Sequence, residues 1–147
     1  MTKFNIQNLS FAYGDFPVLK NVAFEVETNT VNVILGLNGS GKTTLLHLIM
    51  GLFKPEEGSV EVFGKDFIKE EAAIHNDMGV VLQERLFDDY ITLQQNGAYY
   101  GSYYKNYDEA YFLDLLKQFE LEPKRKYKGL SKSIPLMIIN GVITIPG

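Results

Sequence analysis

The sequence contains no cysteine. That excludes a disulfide framework and any thiolate metal site, and it is compatible with a reducing cytosol. No apolar run reaches the ~18 residues that a membrane span needs, so any membrane role must come through a partner. Cations are in deficit: 14 Lys and Arg stand against 18 Asp and Glu, a net charge of −4. General affinity for nucleic acid is therefore not implied. Met1-Thr2-Lys3 leads straight into strand-like sequence, so no signal peptide is expected. What is present is ordinary for a globular chain: 147 residues, 46% apolar and 22% charged, one domain's worth of sequence.

One stretch organises the rest. Gly36-Leu37-Asn38-Gly39-Ser40-Gly41-Lys42-Thr43 fits the pattern G-x-x-x-x-G-K-[ST], the phosphate-binding P-loop. Before it, Val31-Asn32-Val33-Ile34-Leu35 is short, apolar and β-branched and predicts a buried strand. After it, Leu45, Leu46, Leu48 and Ile49 fall in helical order and Gly51 closes the helix. The chemistry needs these types at these positions. Glycines let successive backbone amides curl toward one anion, and the following helix aims the positive end of its dipole at the same point. Lys42 can reach the β/γ-phosphates, and the Thr43 hydroxyl can take a coordination position on Mg²⁺. A plain glycine-rich turn leaves the Lys42-Thr43 pair unexplained.

The flanking sequence supplies a β layer and a helical region. Phe4, Ile6 and Leu9 alternate with polar residues, a turn falls at Gly14-Asp15 and Pro17, and Val22, Phe24 and Val26 alternate again. Two one-faced strands joined by a turn predict an antiparallel layer. Tyr13, in that turn, reads either as a ring stacked on adenine or as a tyrosine covering the layer. Ser59 to Phe63 reads as a further strand, Glu70 to Asn76 as a short helix, and Met78 to Leu82 as another strand. Gln83, at the end of that strand, reads either as a ligand to Mg²⁺ or water, or as a strand-end amide in solvent. Thr92-Leu93-Gln94-Gln95 makes a capping box, and Asn106 to Glu109 looks like a second helix start with its own box. Tyr99, Tyr103, Tyr107 and Tyr111 recur every four residues and read as packing, or as a surface for a partner helix. Lys124 to Lys128 is a basic run that reads as a solvated face.

In this order the motifs resemble the nucleotide-binding domain of an ATP-binding cassette (ABC) transporter. Leu9-Ser10-Phe11-Ala12-Tyr13-Gly14 resembles the family's opening strand, and Gly36 to Thr44 its Walker A loop. Pro55 to Val60 with Val62 to Asp66 resembles the segment after the P-loop helix. Val80-Val81-Leu82-Gln83-Glu84 resembles the Q-loop, and Leu130-Ser131-Lys132 the opening of the signature motif. The resemblance implies an α/β fold: a P-loop core, an N-terminal antiparallel β layer and a helical subdomain over Thr92 to Lys128, with the C-terminal part of the core missing. It implies ATP and Mg²⁺ as ligands. Tyr13, Gly36, Asn38, Gly39, Ser40, Gly41, Lys42, Thr43 and Thr44 would bind nucleotide, and Thr43 and Gln83 the metal. It further implies a transmembrane permease subunit as partner, a second nucleotide-binding domain closing on ATP, and a place on the cytoplasmic face of the membrane.

The departure from the family lies at the carboxyl end. Residues 1–132 read as a partial nucleotide-binding domain and 133–147 as an atypical apolar tail. From Ser133 onward the sequence carries no charged residue. The Walker B carboxylates, the full signature and the switch histidine are absent from these residues. His47, inside the P-loop helix, and His75, in a connecting segment, read as structural. The expectation is ATP binding with weak or no hydrolysis; alternatives are a nucleotide-binding module without turnover or an unstable fragment. Asn140-Gly141 between apolar runs reads as a hairpin turn, or the tail as the product of a frameshift, the reading favoured by the abrupt change in composition.

Overall fold

Alternating apolar and polar residues at the amino terminus build a sheet. The computed structural model describes residues 2–80, 87–128 and 130, and the chain divides into two compact units, Met1–His75 and Asn76–Gly147. In the first unit β1 (Thr2–Tyr13) and β2 (Phe16–Glu27) run antiparallel around the Gly14-Asp15 turn. On β2 Val22, Phe24 and Val26 are half-buried while Ala23, Glu25 and Glu27 are exposed, the expected one-faced pattern. Helix α1 (Lys42–Ile49) follows the P-loop and ends before Gly51, as its sequence predicts. β3 (Glu57–Val62) pairs antiparallel with the other edge of β1, Ile6 facing Val60 and Phe4 facing Val62. β4 (Lys65–Asp66) completes the order β2-β1-β3-β4. Ile6, Leu9, Leu19, Val60 and Val62 are buried, as are Leu45 and Leu48 of α1. Helix α2 (Glu71–Asp77) lies one residue from its expected place.

The strand expected at Val31–Leu35 is not formed. Val31 is 94% exposed and Leu35 86%, and the segment makes no backbone hydrogen bond among the described residues. A buried parallel strand exists only between neighbours that take its N–H and C=O groups, and the described residues supply none on either side. Met78 to Val80 likewise carry no strand, and Val81 and Leu82 lie outside the described residues.

The second unit is built on helix caps and rings. Helix α3 (Leu93–Gly101) starts at Thr92 with the expected capping box: Gln95 N donates to Thr92 Oγ1 at 3.1 Å and Thr92 N to Gln95 Oε1 at 2.9 Å. The next helix, α4 (Glu109–Gln118), does start afresh, but its cap is Asp108 alone, whose Oδ1 accepts from Tyr111 N at 3.0 Å. The second capping box expected at Asn106 is therefore replaced by a single acceptor one residue before the helix. Phe87, Leu93, Phe112, Leu116, Leu121, Tyr127 and Leu130 form the core. The side chain of Asn96, fully buried, accepts from Asp88 N and donates to the Asp88 and Thr92 carbonyls, which satisfies its amide.

The tyrosine stripe divides. Tyr100, Tyr104 and Tyr107 pack against the core, while Tyr99 and Tyr103 stay exposed with their hydroxyls 3.4 Å apart. The helix stops at Gly101, so the four-residue spacing does not continue on one surface. Lys124, Arg125, Lys126 and Lys128 are exposed, as a solvated run should be. Among the described residues no helix is long and apolar enough to cross a membrane.

Tyr107 supplies a pH prediction. Its Oη is buried without a hydrogen-bond partner among the described residues. Burial, then the charges of Glu109 and Asp108, push the phenol up to about 12 from 10. Between those values the unfolded chain has released the proton and the folded chain still holds it, so stability falls as pH rises. The expected result is a larger loss of unfolding midpoint from pH 9 to 11.5 in the native sequence than in Tyr107→Phe, measured by circular dichroism. Equal losses would remove Tyr107 as the source.

Candidate functional site

The loop from Gly36 to Gly41 joins α1 through a position that only glycine fits. Gly41 caps the helix at φ 93°, and a Cβ there would lie 3.0 Å from Leu19 Cδ2 and 3.1 Å from Val18 Cγ1 on β2. A Cβ on Gly36 would lie 2.5 Å from Ser40 Oγ and so fill the hollow of the loop. Between them Ser40 N donates to Leu37 O at 3.2 Å and closes a turn.

Helix α1 begins bare. No side chain caps it and its first turn holds no acidic residue. The first intrahelical bond runs from Leu45 N to Gly41 O at 2.9 Å. The amides of Lys42, Thr43 and Thr44 therefore have no acceptor within the helix. Their partial charges add to the positive end of the dipole, where an anion is favoured and a cation is not. Yet the first helical residue is Lys42. Its ammonium folds back over the loop, with Nζ donating to Gly36 O at 2.5 Å and Leu37 O at 2.7 Å. The first-turn amides of α1, which have no acceptor within the helix, together with an ammonium held over the loop before them, can take a polyphosphate.

Thr43 is exposed at the second helical position. One neutral hydroxyl suits Mg²⁺, which keeps several waters and takes phosphate oxygens rather than a full protein cage. Among the described residues no group of three or more His, Cys, Asp or Glu lies together to hold a metal by itself. The residues present thus fit Mg²⁺ only in company with a phosphate ligand.

Thr44 turns inward and is 6% exposed. Its Oγ1 lies 3.2 Å from Tyr13 Oη, at the end of β1. The Tyr13 ring is near-perpendicular to Phe11 at 5.1 Å and to Phe53 at 5.8 Å, and it remains 47% exposed. The ring thus covers part of the layer, one of its two sequence readings, and keeps an exposed face. Tyr13 and Gly36 to Thr44 all belong to the first unit. Gln83 lies outside the described residues, as do Ser131, Lys132 and the tail with its Asn140-Gly141 turn. His47 and His75 are edge-on to Phe53 and Phe67, and His75 Nε2 lies 3.2 Å from Met50 O, in keeping with structural roles.

Sequence reading missed Phe53 and the hydroxyl pair of Tyr13 and Thr44. An aromatic just past the helix stop at Gly51 is the only local sign of Phe53. Contact between residues 31 positions apart leaves none.

Comparison with known proteins agrees with this geometry. Residues 19–134 match the family model described as ABC transporter. The ABC-type transporter ATP-binding protein EcsA of Bacillus subtilis is 30% identical over 93% of this chain and 59% of its own length. The sulfate/thiosulfate import ATP-binding protein CysA of Synechocystis is 36% identical over 64% of this chain and 26% of its own. The chain thus spans about three-fifths of the length of EcsA. Among solved structures, an ATP-binding subunit of an ABC transporter superposes with a TM-score of 0.82 at 22% identity, covering 95% of this chain and 60% of its own. The cbiO1 protein of Clostridium perfringens, part of the ABC transporter complex cbiONQ, gives 0.78 at 21% identity, covering 97% and 61%. At such identities these two likenesses speak for the fold alone, which is the α/β fold of the ABC ATPases over the amino-terminal part of the P-loop core. With its P-loop, bare helix end and family match in one segment, the chain belongs to the ABC transporter family, as a nucleotide-binding domain.

Proposed function

We propose that the chain binds the polyphosphate of ATP, with Mg²⁺, as the ATP-binding part of an ABC transporter. The carrying observation is the start of α1, which has no side-chain cap, no acid in its first turn and a lysine in its first position. Each of these opposes helix stability unless an anion joins the site. In this reading the amides around Gly36, Asn38, Gly39, Ser40 and Gly41 and the first turn of α1 take the phosphates. Lys42 neutralises charge, Thr43 and Gln83 complete the Mg²⁺ shell, Thr44 contacts phosphate and the Tyr13 ring meets the base. The names of the relatives, ATP-binding proteins of transporters, support a transporter complex as the setting; in this reading the partner is a membrane-spanning permease and the place of work is the cytoplasmic face of a membrane. A second nucleotide-binding domain would close on the bound ATP.

The reading is of binding with little or no turnover. Hydrolysis needs a held metal, a clamped γ-phosphate and an oriented water. From Ser133 onward these residues carry no carboxylate to orient that water. Titration with ATP, with and without Mg²⁺, is expected to raise the unfolding free energy with the logarithm of ligand concentration above Kd, by about 2.7 kcal/mol at 100 times Kd. No phosphate should accumulate. Absence of any ATP-dependent shift in monodisperse protein would refute nucleotide binding. Phosphate release that disappears in Lys42→Ala would refute the lack of turnover.

A further inference from the structure

The Tyr13–Thr44 hydroxyl pair gives the site a link that none of its sequence motifs contains. A threonine inside a helix ordinarily turns its hydroxyl to the carbonyl four residues back. Thr44 instead meets Tyr13 Oη at 3.2 Å, across 31 positions of sequence. The Tyr13 ring meets, edge to face, a stacked pair formed by Phe11 and Phe53, whose centroids lie 5.4 Å apart with planes 6° apart. Either hydroxyl can donate in this pair; the phenol is the stronger proton donor, which favours Tyr13 as donor and Thr44 as acceptor. That leaves the Thr44 proton free to point elsewhere. Thr44 is the third residue of a helix start whose amides lack acceptors, so an anion bound there lies beside it. Donation from Tyr13 polarises the Thr44 hydroxyl and strengthens its bond to an anionic oxygen.

We propose that Tyr13 acts at both ends of the nucleotide: its ring at the base and its hydroxyl, through Thr44, at the phosphates. Tyr13 is thus a positioning residue for phosphate binding, and this proposal rests on the ATP reading above. The test uses the whole chain and two ligands, ATP and inorganic tripolyphosphate, which has no base. Tyr13→Phe keeps the ring and removes the hydroxyl. It is expected to weaken both ligands by a similar factor, about threefold to tenfold, the scale of one hydrogen bond. Thr44→Val should do the same, the double variant should be no worse than either single one, and Thr44→Ser should bind as the native sequence does. A tyrosine that only stacks on the base would leave tripolyphosphate affinity unchanged in Tyr13→Phe, and that result overturns the proposal. Additive losses in the double variant overturn it as well. If the native chain binds neither ligand, the functional reading itself falls. If it binds both and Tyr13→Phe matches it, only the link is wrong.

Discussion

Lys42→Ala is expected to weaken ATP binding by roughly 10- to 100-fold while leaving the unliganded protein about as stable as before. The two halves of that expectation have different causes. A charge-assisted hydrogen bond to phosphate is worth about 1.5–3 kcal/mol, which sets the loss of affinity. In the unliganded chain the same ammonium sits at the positive end of the α1 dipole, where a cation costs about 0.3–1 kcal/mol. Its bonds to Gly36 O and Leu37 O offset that cost. Removing the side chain removes both terms, so the unfolding midpoint should move little without ATP. Isothermal titration gives the affinity and thermal unfolding the stability. A variant that binds ATP normally would disconnect the P-loop from function. One that unfolds would make Lys42 a structural residue.

Gly97→Val should cost about 3 kcal/mol of stability in the second unit. A Cβ at this position in α3 would lie 2.1 Å from Phe112 Cε1, and Phe112 is fully buried. The ring has nowhere to retreat, and overpacking of this kind costs about 1–3 kcal/mol or somewhat more. Helix propensity argues the other way, since glycine is the poorer helix former by a few tenths to ~1 kcal/mol. Packing is the larger effect, so the net change is destabilising. Gly97→Ala in a Phe112→Leu background should recover part of the loss, because the smaller side chain vacates the contact. Urea unfolding followed by tyrosine fluorescence measures both. A stabilised Gly97→Ala would mean that α3 and α4 do not approach as closely as described.

The P-loop, the antiparallel layer and the Thr92 capping box could be read from the residues because each is a local device. A cap needs only its neighbours three positions away, and a one-faced strand announces itself by alternation. Val31 to Leu35 misled because its composition states a preference that only flanking strands can satisfy. The tyrosines every four positions divide because Gly101 ends α3: Tyr107 packs on the core as the packing reading expects, while Tyr99 and Tyr103 stay exposed. The candidate site was legible as a loop but not as an assembly. The pairing of Tyr13 with Thr44 depends on where β1 ends relative to α1, which no short window of sequence contains.

The exposed run before the P-loop has a thermodynamic consequence. Among the described residues, a phosphate gripped at Gly36 to Thr44 would be held by backbone whose main-chain hydrogen bonds lie on its carboxyl side. Arresting each upstream residue then costs about 1–2 kcal/mol of chain entropy at the moment of association. ATP would bind with an unfavourable entropy and an affinity that declines steeply on warming. Any polypeptide that hydrogen-bonds along Val31 to Leu35 beforehand would relieve that cost without touching the nucleotide. By reciprocity ATP would tighten that polypeptide's grip to the same degree.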